Sequence, residues 1–230
     1  MELIKEQNRE TLEKKIAEEI VNISKKSIEQ SGQFNMAVSG GSSPLGVYRL
    51  LATEFRECMD WKNVSIFWVD DRYVPFDAPE SNFGQFIKMF DERVLSQVKL
   101  FPMYQDKMDY KSAASFYESK IMAHFKSSIP KFDLVILGVG TDGHTASLFP
   151  NAPILSEITR LVKDVEAPDY APIKERVSFT YSLINDAKLI ITLLTGEAKK
   201  DVFASFQNSK HQYPIEFIKK EKMILCTDLA

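Results

Sequence analysis

Residues 138–145 form a glycine-rich segment that carries an aspartate, Asp142, and a histidine, His144, directly after the apolar run 134–137. Imidazole titrates near neutral pH, so a histidine beside a carboxylate can take a proton from water. An apolar run that ends in glycine is typical of a central strand in a parallel sheet, and ligands bind beyond the carboxyl ends of such strands. The spacing therefore predicts that His144 and Asp142 face a ligand cleft.

A second turn, residues 39–44, lies between a short apolar segment and a helical pattern. Free backbone N–H groups, serine hydroxyls and the positive end of a helix dipole together favour an anion such as phosphate. Ser43 is the expected N-cap and Pro44 suits the first helical turn. A tight turn with a good cap remains the alternative. The expected phosphate ligands are Gly40, Gly41 and Ser42.

Basic residues at other predicted strand ends extend this anion site. Asp70-Asp71-Arg72 follows an apolar segment, and an arginine there can hold a phosphate or a developing oxyanion while Asp70 orients it. An ordinary loop salt bridge is the alternative. Arg176 and Lys199 lie at the edges of later elements and can assist, although a solvated surface charge explains each equally well.

Several other chemistries lack support. Residues 138–143 satisfy GxGxxG, but Pro150 and Pro153 leave little room for the helix that a dinucleotide site needs. The Walker and GxSxG patterns are absent from the sequence, and neither His124 nor His211 has metal-ligand spacing to His144. We therefore expect no metal site, and we expect water rather than a side chain as the nucleophile.

Bulk composition limits the function classes. With 230 residues, 44% apolar residues and a net charge of -3, the chain is expected to form one domain over 1–230 and to bind neither nucleic acid nor membrane. No apolar run approaches the roughly 20 residues of a membrane span, and the N-terminus lacks a signal core. Two distant cysteines, Cys58 and Cys226, suggest reduced thiols and a cytoplasmic protein.

Apolar periodicity predicts alternating strands and helices, and hence a three-layer, Rossmann-like α/β fold with a mostly parallel sheet flanked by helices. The N-terminal region is expected to be one amphipathic helix, and residues 163–175 a long loop with Pro168 and Pro172. The expected strands are 34–38, 64–69, 133–137, 176–181, 188–194 and 223–227, and the other expected helices begin near Leu45 and cover 83–94, 110–125 and 196–206.

Three motifs in order, residues 39–44, residues 70–75 with Ser81-Asn82, and residues 137–150, resemble the glucosamine-6-phosphate isomerase/6-phosphogluconolactonase superfamily. The string Gly-His-Thr-Ala-Ser-Leu-Phe-Pro at 143–150 is the most specific part. Asp71 stands where the family usually has Glu, and the segment between Pro172 and Arg176 is longer than usual. The resemblance therefore leaves open whether Arg176 or Lys174 contacts a phosphate.

The resemblance implies hydrolysis of 6-phospho-D-glucono-1,5-lactone to 6-phosphogluconate without metal or organic cofactor. We expect a monomer or weak homo-oligomer. We hypothesise that His144, which lies beside Asp142, is the base, and the sequence leaves open which of Asp70, Asp71 and Asp142 couples to it. Arg72, oriented by Asp70, is expected at the oxyanion or a phosphate oxygen, and the residues expected around the phosphate are Gly40, Gly41, Ser42, Arg176 and Lys199. Glucosamine-6-phosphate deaminase is the nearest alternative, but the deaminase turn carries Glu where this chain has Phe149. A sugar-phosphate-binding regulator without turnover is the other alternative.

Overall fold

The computed structural model describes residues 1–208 and 210–229, and within them the chain forms ten strands and seven α-helices joined by loops and short 3₁₀ turns. The strands are β1 (Glu2–Lys5), β2 (Phe34–Val38), β3 (Val64–Trp68), β4 (Asp70–Arg72), β5 (Lys99–Phe101), β6 (Leu134–Gly138), β7 (Val162–Glu166), β8 (Glu175–Phe179), β9 (Leu189–Leu193) and β10 (Met223–Thr227). The helices are α1 (Arg9–Ser31), α2 (Leu45–Ala52), α3 (Asn82–Ile87), α4 (Glu92–Leu95), α5 (Tyr110–Phe125), α6 (Tyr181–Asp186) and α7 (Lys200–Gln207).

A seven-stranded sheet in the order β1-β10-β9-β6-β2-β3-β5 forms the centre of the molecule, and its neighbouring strands pair in parallel. All residues of β2, β3 and β10 are buried, as expected for strands covered on both faces. The sheet is flanked by helices. The predicted three-layer α/β fold with a mostly parallel sheet is therefore confirmed.

Helix α1 shows how the sequence sets its own ends and its buried face. The side chain of Asn8 accepts hydrogen bonds from the N–H groups of Glu10 and Thr11, and Gly32 ends the helix with a left-handed φ of 74°. Leu12, Ile16 and Ile20 recur at helical spacing and are buried against the sheet and α2. Within residues 1–208 and 210–229, no helix combines the length and apolarity that a bilayer crossing requires.

A second, antiparallel sheet in the order β4-β8-β7 corrects part of the sequence prediction. The expected long loop 163–175 contains most of β7, whose Val162 and Val165 are buried, so the connecting loop is only 167–174. The expected strand 176–181 belongs to this small sheet rather than to the central one. Pro168 and Pro172 interrupt only the connection, because a hairpin needs no strand character there.

Other boundaries differ for local reasons. Strand β1 replaces the start of the expected N-terminal helix, and it pairs through its backbone with β10 at the sheet edge. The short edge strand β5 was missing from the prediction. The expected helix 83–94 is two helices, α3 and α4, because the side chain of Asp91 caps α4 by accepting from the N–H of Val94.

Asp71 joins the small sheet to α3. Its carboxylate accepts hydrogen bonds from the backbone N–H groups of Arg72 at 2.8 Å, Asn82 at 2.7 Å and Phe83 at 3.1 Å. The side chain is 2% exposed, and burial raises its pKa to about 7 despite these hydrogen bonds. Asp71 thus fixes the position of α3 relative to β4.

We predict that Asp71→Asn destabilises the protein by about 1–3 kcal/mol, because the amide cannot accept all three hydrogen bonds. The raised pKa means that the folded chain binds this proton more tightly than the unfolded chain, whose aspartate titrates near 3.8. The stability from this group is therefore complete below about pH 4 and is lost as the pH rises through about 7.

Urea unfolding should consequently show a larger cost of Asp71→Asn near pH 5 than near pH 8. The exposed Asp77, changed to Asn in the same loop, is the matched control and should cost little at either pH. An equal cost of Asp71→Asn at both pH values would contradict the prediction.

Candidate active site

A cleft of 330 Å³ opens where the carboxyl ends of β2 and β6 lie side by side. The sheet order shows that the chain leaves β2 toward β3 on one side, whereas it continues from β6 toward β9 on the other. Such a reversal of strand order leaves a crevice between the two following loops. The turns 39–44 and 138–149 therefore form opposite walls of one cleft, as the sequence predicted.

Ser39 ties the two walls together. Its hydroxyl donates to the carbonyl of Ile136 at 2.8 Å and accepts from the N–H of Gly138 at 3.3 Å. The next residue, Gly40, passes so close to Asn82 that an added Cβ would lie 1.9 Å from the Asn82 Oδ1 atom. Gly41 adopts a φ of +79°, which favours glycine. The turn therefore needs its glycines for a close approach and for its backbone conformation.

Ser43 is not the N-cap of α2, contrary to the sequence prediction. Pro44 occupies the cap position without a side-chain hydrogen bond, and the Ser43 hydroxyl instead accepts from the Lys199 Nζ at 3.1 Å. Behind the turn, the guanidinium of Arg9 donates to the carbonyls of Ser42 and Ser43, each at 3.0 Å. Burial, followed by the charge of Arg9, lowers the pKa of Lys199. Two cations therefore converge on this end of the cleft.

Asp142 and His144 form a hydrogen-bonded pair on the opposite wall. The Nδ1 atom of His144 lies 2.5 Å from the Oδ1 atom of Asp142, which also accepts the His144 backbone N–H at 3.1 Å. Burial alone would raise the pKa of Asp142, but hydrogen bonds from His144 and Tyr170 outweigh it and hold the pKa below its usual range. An ionised carboxylate only accepts, so Nδ1 carries the proton and Nε2 has a free lone pair.

Gly140 is the surface against which this pair packs. A Cβ atom there would lie 2.3 Å from the Cε1 and Nδ1 atoms of His144 and 2.7 Å from the Asp142 Oδ1 atom. The Gly140 N–H also donates to the carbonyl of His144 at 2.8 Å. Glycine at this position therefore sets the ring orientation.

Two arginines face the cleft from the small sheet. Arg72 and Arg176 are directly opposite each other in the β4–β8 ladder. Arg72 donates from Nη1 to the Glu80 carbonyl at 2.8 Å, while its Nε is buried without a partner. Burial, with the nearby Arg72 charge, lowers the pKa of Arg176, which is 5% exposed. An anion in the cleft would supply the acceptor that the Arg72 Nε lacks.

Asp70 lines the same cleft but is held differently from the expectation. Its carboxylate accepts from the hydroxyl of Ser147 at 2.7 Å rather than orienting Arg72, and its negative charge favours the charged form of Arg176. Asn82 donates from its side-chain amide to the Asp70 carbonyl at 3.0 Å, and its Oδ1 is buried without a partner. Asp70 therefore connects the glycine-rich turn to the small sheet.

Phe149 packs against the His144 ring. Its ring centroid lies 4.7 Å from that of His144, and the Arg176 guanidinium lies 5.9 Å from the Phe149 centroid. The side chain is 2% exposed. This position therefore supplies apolar packing and no titratable group to the cleft.

The structure brings the nine residues proposed from the sequence to one place. Eight of them line the cleft, and Asp142 lies directly behind His144. Lys174 instead pairs with Asp169 and lines a different pocket, which places Arg176 rather than Lys174 at the cleft. The eight lining residues are Gly40, Gly41, Ser42, Asp70, Arg72, His144, Arg176 and Lys199.

Four contributors were missing from the proposed site residues: Arg9, Asn82, Ser147 and Tyr170. Asn82 and Ser147 belong to quoted motifs, so their sequence signal was present although no role was given to them. Arg9 reads as one of many charges at the start of α1, and Tyr170 as a loop residue. Neither pattern carries a local signal, because both partners are distant in sequence.

Comparisons with known proteins identify the family to which this chain is similar. The family model described as glucosamine-6-phosphate isomerases/6-phosphogluconolactonase matches residues 7–226. A 6-phosphogluconolactonase from Synechocystis sp. is 35% identical over 204 residues, covering 85% of this chain and 82% of that protein. One from Treponema pallidum is 36% identical over 182 residues, covering 76% and 73%.

Solved structures show the same similarity. The crystal structure of a 6-phosphogluconolactonase from Shewanella baltica matches with a TM-score of 0.85 and 26% identity, covering 99% of this chain and 97% of that one. That from Thermotoga maritima matches with a TM-score of 0.82 and 26% identity, covering 98% of each chain. The similarity therefore extends over nearly the whole fold.

We predict that inorganic phosphate binds in this cleft and stabilises the folded chain. At about ten times its Kd, phosphate should raise Tm by about 3–5 °C, and Arg176→Met should remove most of this shift because the buried guanidinium is lost. Thermal unfolding with and without phosphate tests this. The exposed Arg93, changed to Met, is the control and should keep the full shift. The same shift in Arg176→Met would contradict the prediction.

Proposed function

The chain belongs to the family of glucosamine-6-phosphate isomerases and 6-phosphogluconolactonases, and on that premise we propose that it hydrolyses 6-phospho-D-glucono-1,5-lactone to 6-phospho-D-gluconate. The reaction is a step of the oxidative pentose phosphate pathway. One observation carries the proposal: His144, hydrogen-bonded to Asp142, lines the same cleft as the turn 39–44 and its neighbouring cations. A general base and a phosphate anchor are the two parts that this hydrolysis needs.

His144 acts as the general base in this mechanism. Its Nδ1 proton is held by Asp142, so the free Nε2 takes a proton from a water molecule as that water attacks the lactone carbonyl. The δ-lactone is already electrophilic, so no covalent enzyme intermediate is required. The tetrahedral intermediate collapses with cleavage of the bond between the carbonyl carbon and the ring oxygen, and the His144 imidazolium returns its proton to that oxygen, which becomes a hydroxyl of 6-phosphogluconate. Asp142 stabilises the imidazolium that forms, and its low pKa keeps it ionised for this purpose.

The cations divide the remaining work. Gly40, Gly41 and Ser42 bind the phosphate through backbone N–H groups, and Lys199 and Arg176 supply positive charge beside them. Arg72, whose buried Nε has no partner, stabilises the tetrahedral oxyanion or a phosphate oxygen. The negative charge of Asp70 favours the charged form of Arg176 and so opposes the repulsion between Arg176 and Arg72.

The two alternatives are less well supported. A deaminase of this family uses a carboxylate where Phe149 packs against His144, so ring opening would lack its acid. Ammonia release from glucosamine 6-phosphate would reverse this choice. A non-catalytic binding protein needs only the turn 39–44, and binding alone does not account for the hydrogen-bonded Asp142–His144 pair.

We further propose that the enzyme works in the cytoplasm, as a monomer or weak homo-oligomer, on a small-molecule substrate. The free thiols of Cys58 and Cys226 and a net charge of -3 support this proposal.

We predict that His144→Asn lowers kcat by about 10²–10⁴-fold with little change in KM, because the base is lost while the phosphate site is kept. The assay generates the δ-lactone in situ with glucose-6-phosphate dehydrogenase and follows acid release after subtraction of the spontaneous rate. His211→Asn, at an exposed histidine that does not line the cleft, is the matched control and should keep wild-type turnover. An unchanged kcat in His144→Asn would refute the assigned base.

Gly140→Ala tests the geometry of the pair without removing either member. The new methyl group would overlap the His144 ring and the Asp142 carboxylate, so we expect kcat to fall by about 10-fold or more. Gly138→Ala is the comparison, since its Cβ would meet only ordinary contacts, the nearest at 3.7 Å from Ser43. Equal activity of the two variants would show that the close approach at Gly140 is unimportant.

A further inference from the structure

Tyr170 makes a contact that the mechanism above does not use. The residue is 67% exposed, yet its hydroxyl donates to the Oδ2 atom of Asp142 at 2.5 Å. An exposed tyrosine can satisfy its hydroxyl with water, so burial does not force this contact. The hydrogen bond joins the β7–β8 loop of the small sheet to the glycine-rich turn of the central sheet.

The loop 167–174 is built to present this side chain. The N–H of Ala167 donates to the Lys174 carbonyl at 2.8 Å, which closes the base of the loop. At the tip, the N–H of Ala171 donates to the Pro168 carbonyl at 2.9 Å, so Tyr170 lies inside a hydrogen-bonded turn. Lys174 and Asp169 also form an ion pair across the loop.

The same loop is connected to the anion site. The Nε of Arg176 donates to the carbonyl of Ile173 at 3.0 Å. One short loop therefore contacts both the partner of the proposed base and a proposed phosphate ligand.

With Tyr170 in place, both carboxylate oxygens of Asp142 are engaged. Oδ1 accepts hydrogen bonds from the His144 ring and backbone N–H, and Oδ2 accepts one from the Tyr170 hydroxyl. A carboxylate held at both oxygens cannot turn away from the imidazole. Burial, together with the hydrogen bond to the Asp142 charge, raises the pKa of Tyr170 to about 12, so the phenol stays a donor at neutral pH.

We propose that Tyr170 is a positioning residue for the hydrolysis, which orients Asp142 and thereby His144. The inference rests on the proposed lactonase function. Tyr170 does not line the cleft, so its effect passes through Asp142 and not through substrate binding.

Tyr170→Phe removes only the hydroxyl and tests this role. We expect kcat to fall by about 3- to 10-fold with KM unchanged, the range expected for one hydrogen bond to a carboxylate that is partly exposed. The acid limb of the pH–kcat profile should also move to higher pH. Without its second donor, Asp142 keeps more negative charge for the imidazolium, and the free base therefore appears later as the pH rises.

A double-mutant cycle separates positioning from a general structural effect. In an Asp142→Asn background, Tyr170→Phe should have almost no further effect on kcat, because the hydroxyl acts through that carboxylate. Tyr110→Phe is the matched control, since Tyr110 is half-buried and lines the neighbouring pocket with Pro168 and Asp169. It should leave kcat and the pH profile at their wild-type values.

A spectroscopic measurement makes the test independent of turnover. In ¹⁵N-labelled protein, the His144 Nδ1 proton should give a resonance protected from water exchange, and Tyr170→Phe should broaden it. Loss of this signal in a protein without lactonase activity would support the positioning role and refute the proposed function. Wild-type kcat, pH profile and Nδ1 signal in Tyr170→Phe would overturn the inference, as would an equal loss in the Asp142→Asn background.

Discussion

The parallel pairing of β2 with β6 is the constraint on which the site depends. Met36 lies opposite Leu134 and Ala37 opposite Val135, so the end of β2 at Val38 is level with Ile136 and β6 extends two residues beyond it. The Ser39 hydroxyl then forms hydrogen bonds with two residues at the end of β6, Ile136 and Gly138. Because the chain leaves these strands in opposite directions, their turns separate just enough to form a cleft. A shift in this register would separate the proposed base from the proposed phosphate site.

The charge distribution in the cleft follows from what the fold buries. Arg176 is almost fully buried beside Arg72, and Lys199 lies at the other end near Arg9. Burial first, and then the neighbouring positive charges, lowers the pKa values of Arg176 and Lys199. Holding these cations in place is therefore unfavourable. A phosphate and a developing oxyanion would relieve this cost. In the proposed mechanism these donors are therefore preorganised, because the fold places them before the substrate binds.

Much of this arrangement was predictable because its determinants are local. A glycine-rich turn after an apolar strand predicts a ligand site at the carboxyl end of that strand, and Asp142 is only two residues from His144. The predictions of the fold and of the nine site residues drew on such patterns and on the family resemblance. The errors arose where the partner is remote. Serine is a residue type that favours the N-cap, but the Ser43 hydroxyl accepts a hydrogen bond from Lys199 instead. Residues 163–175 contain prolines typical of a loop, but they include most of a strand in a separate sheet.

The sequence by itself determined the fold class and the core of the candidate site: an imidazole two residues from a carboxylate, a serine- and glycine-rich turn after an apolar strand, and a mostly parallel α/β fold, because residue type and short spacing encode these features directly. Only the tertiary structure decided which distant groups complete it. Arg72 and Arg176 lie opposite each other in the β4–β8 ladder. Arg9 donates a hydrogen bond to the turn 39–44, and the Tyr170 hydroxyl donates to Asp142 from the β7–β8 loop. Long-range contacts of this kind depend on how sheets and helices pack together, and packing leaves no regular pattern in the order of residues along the chain.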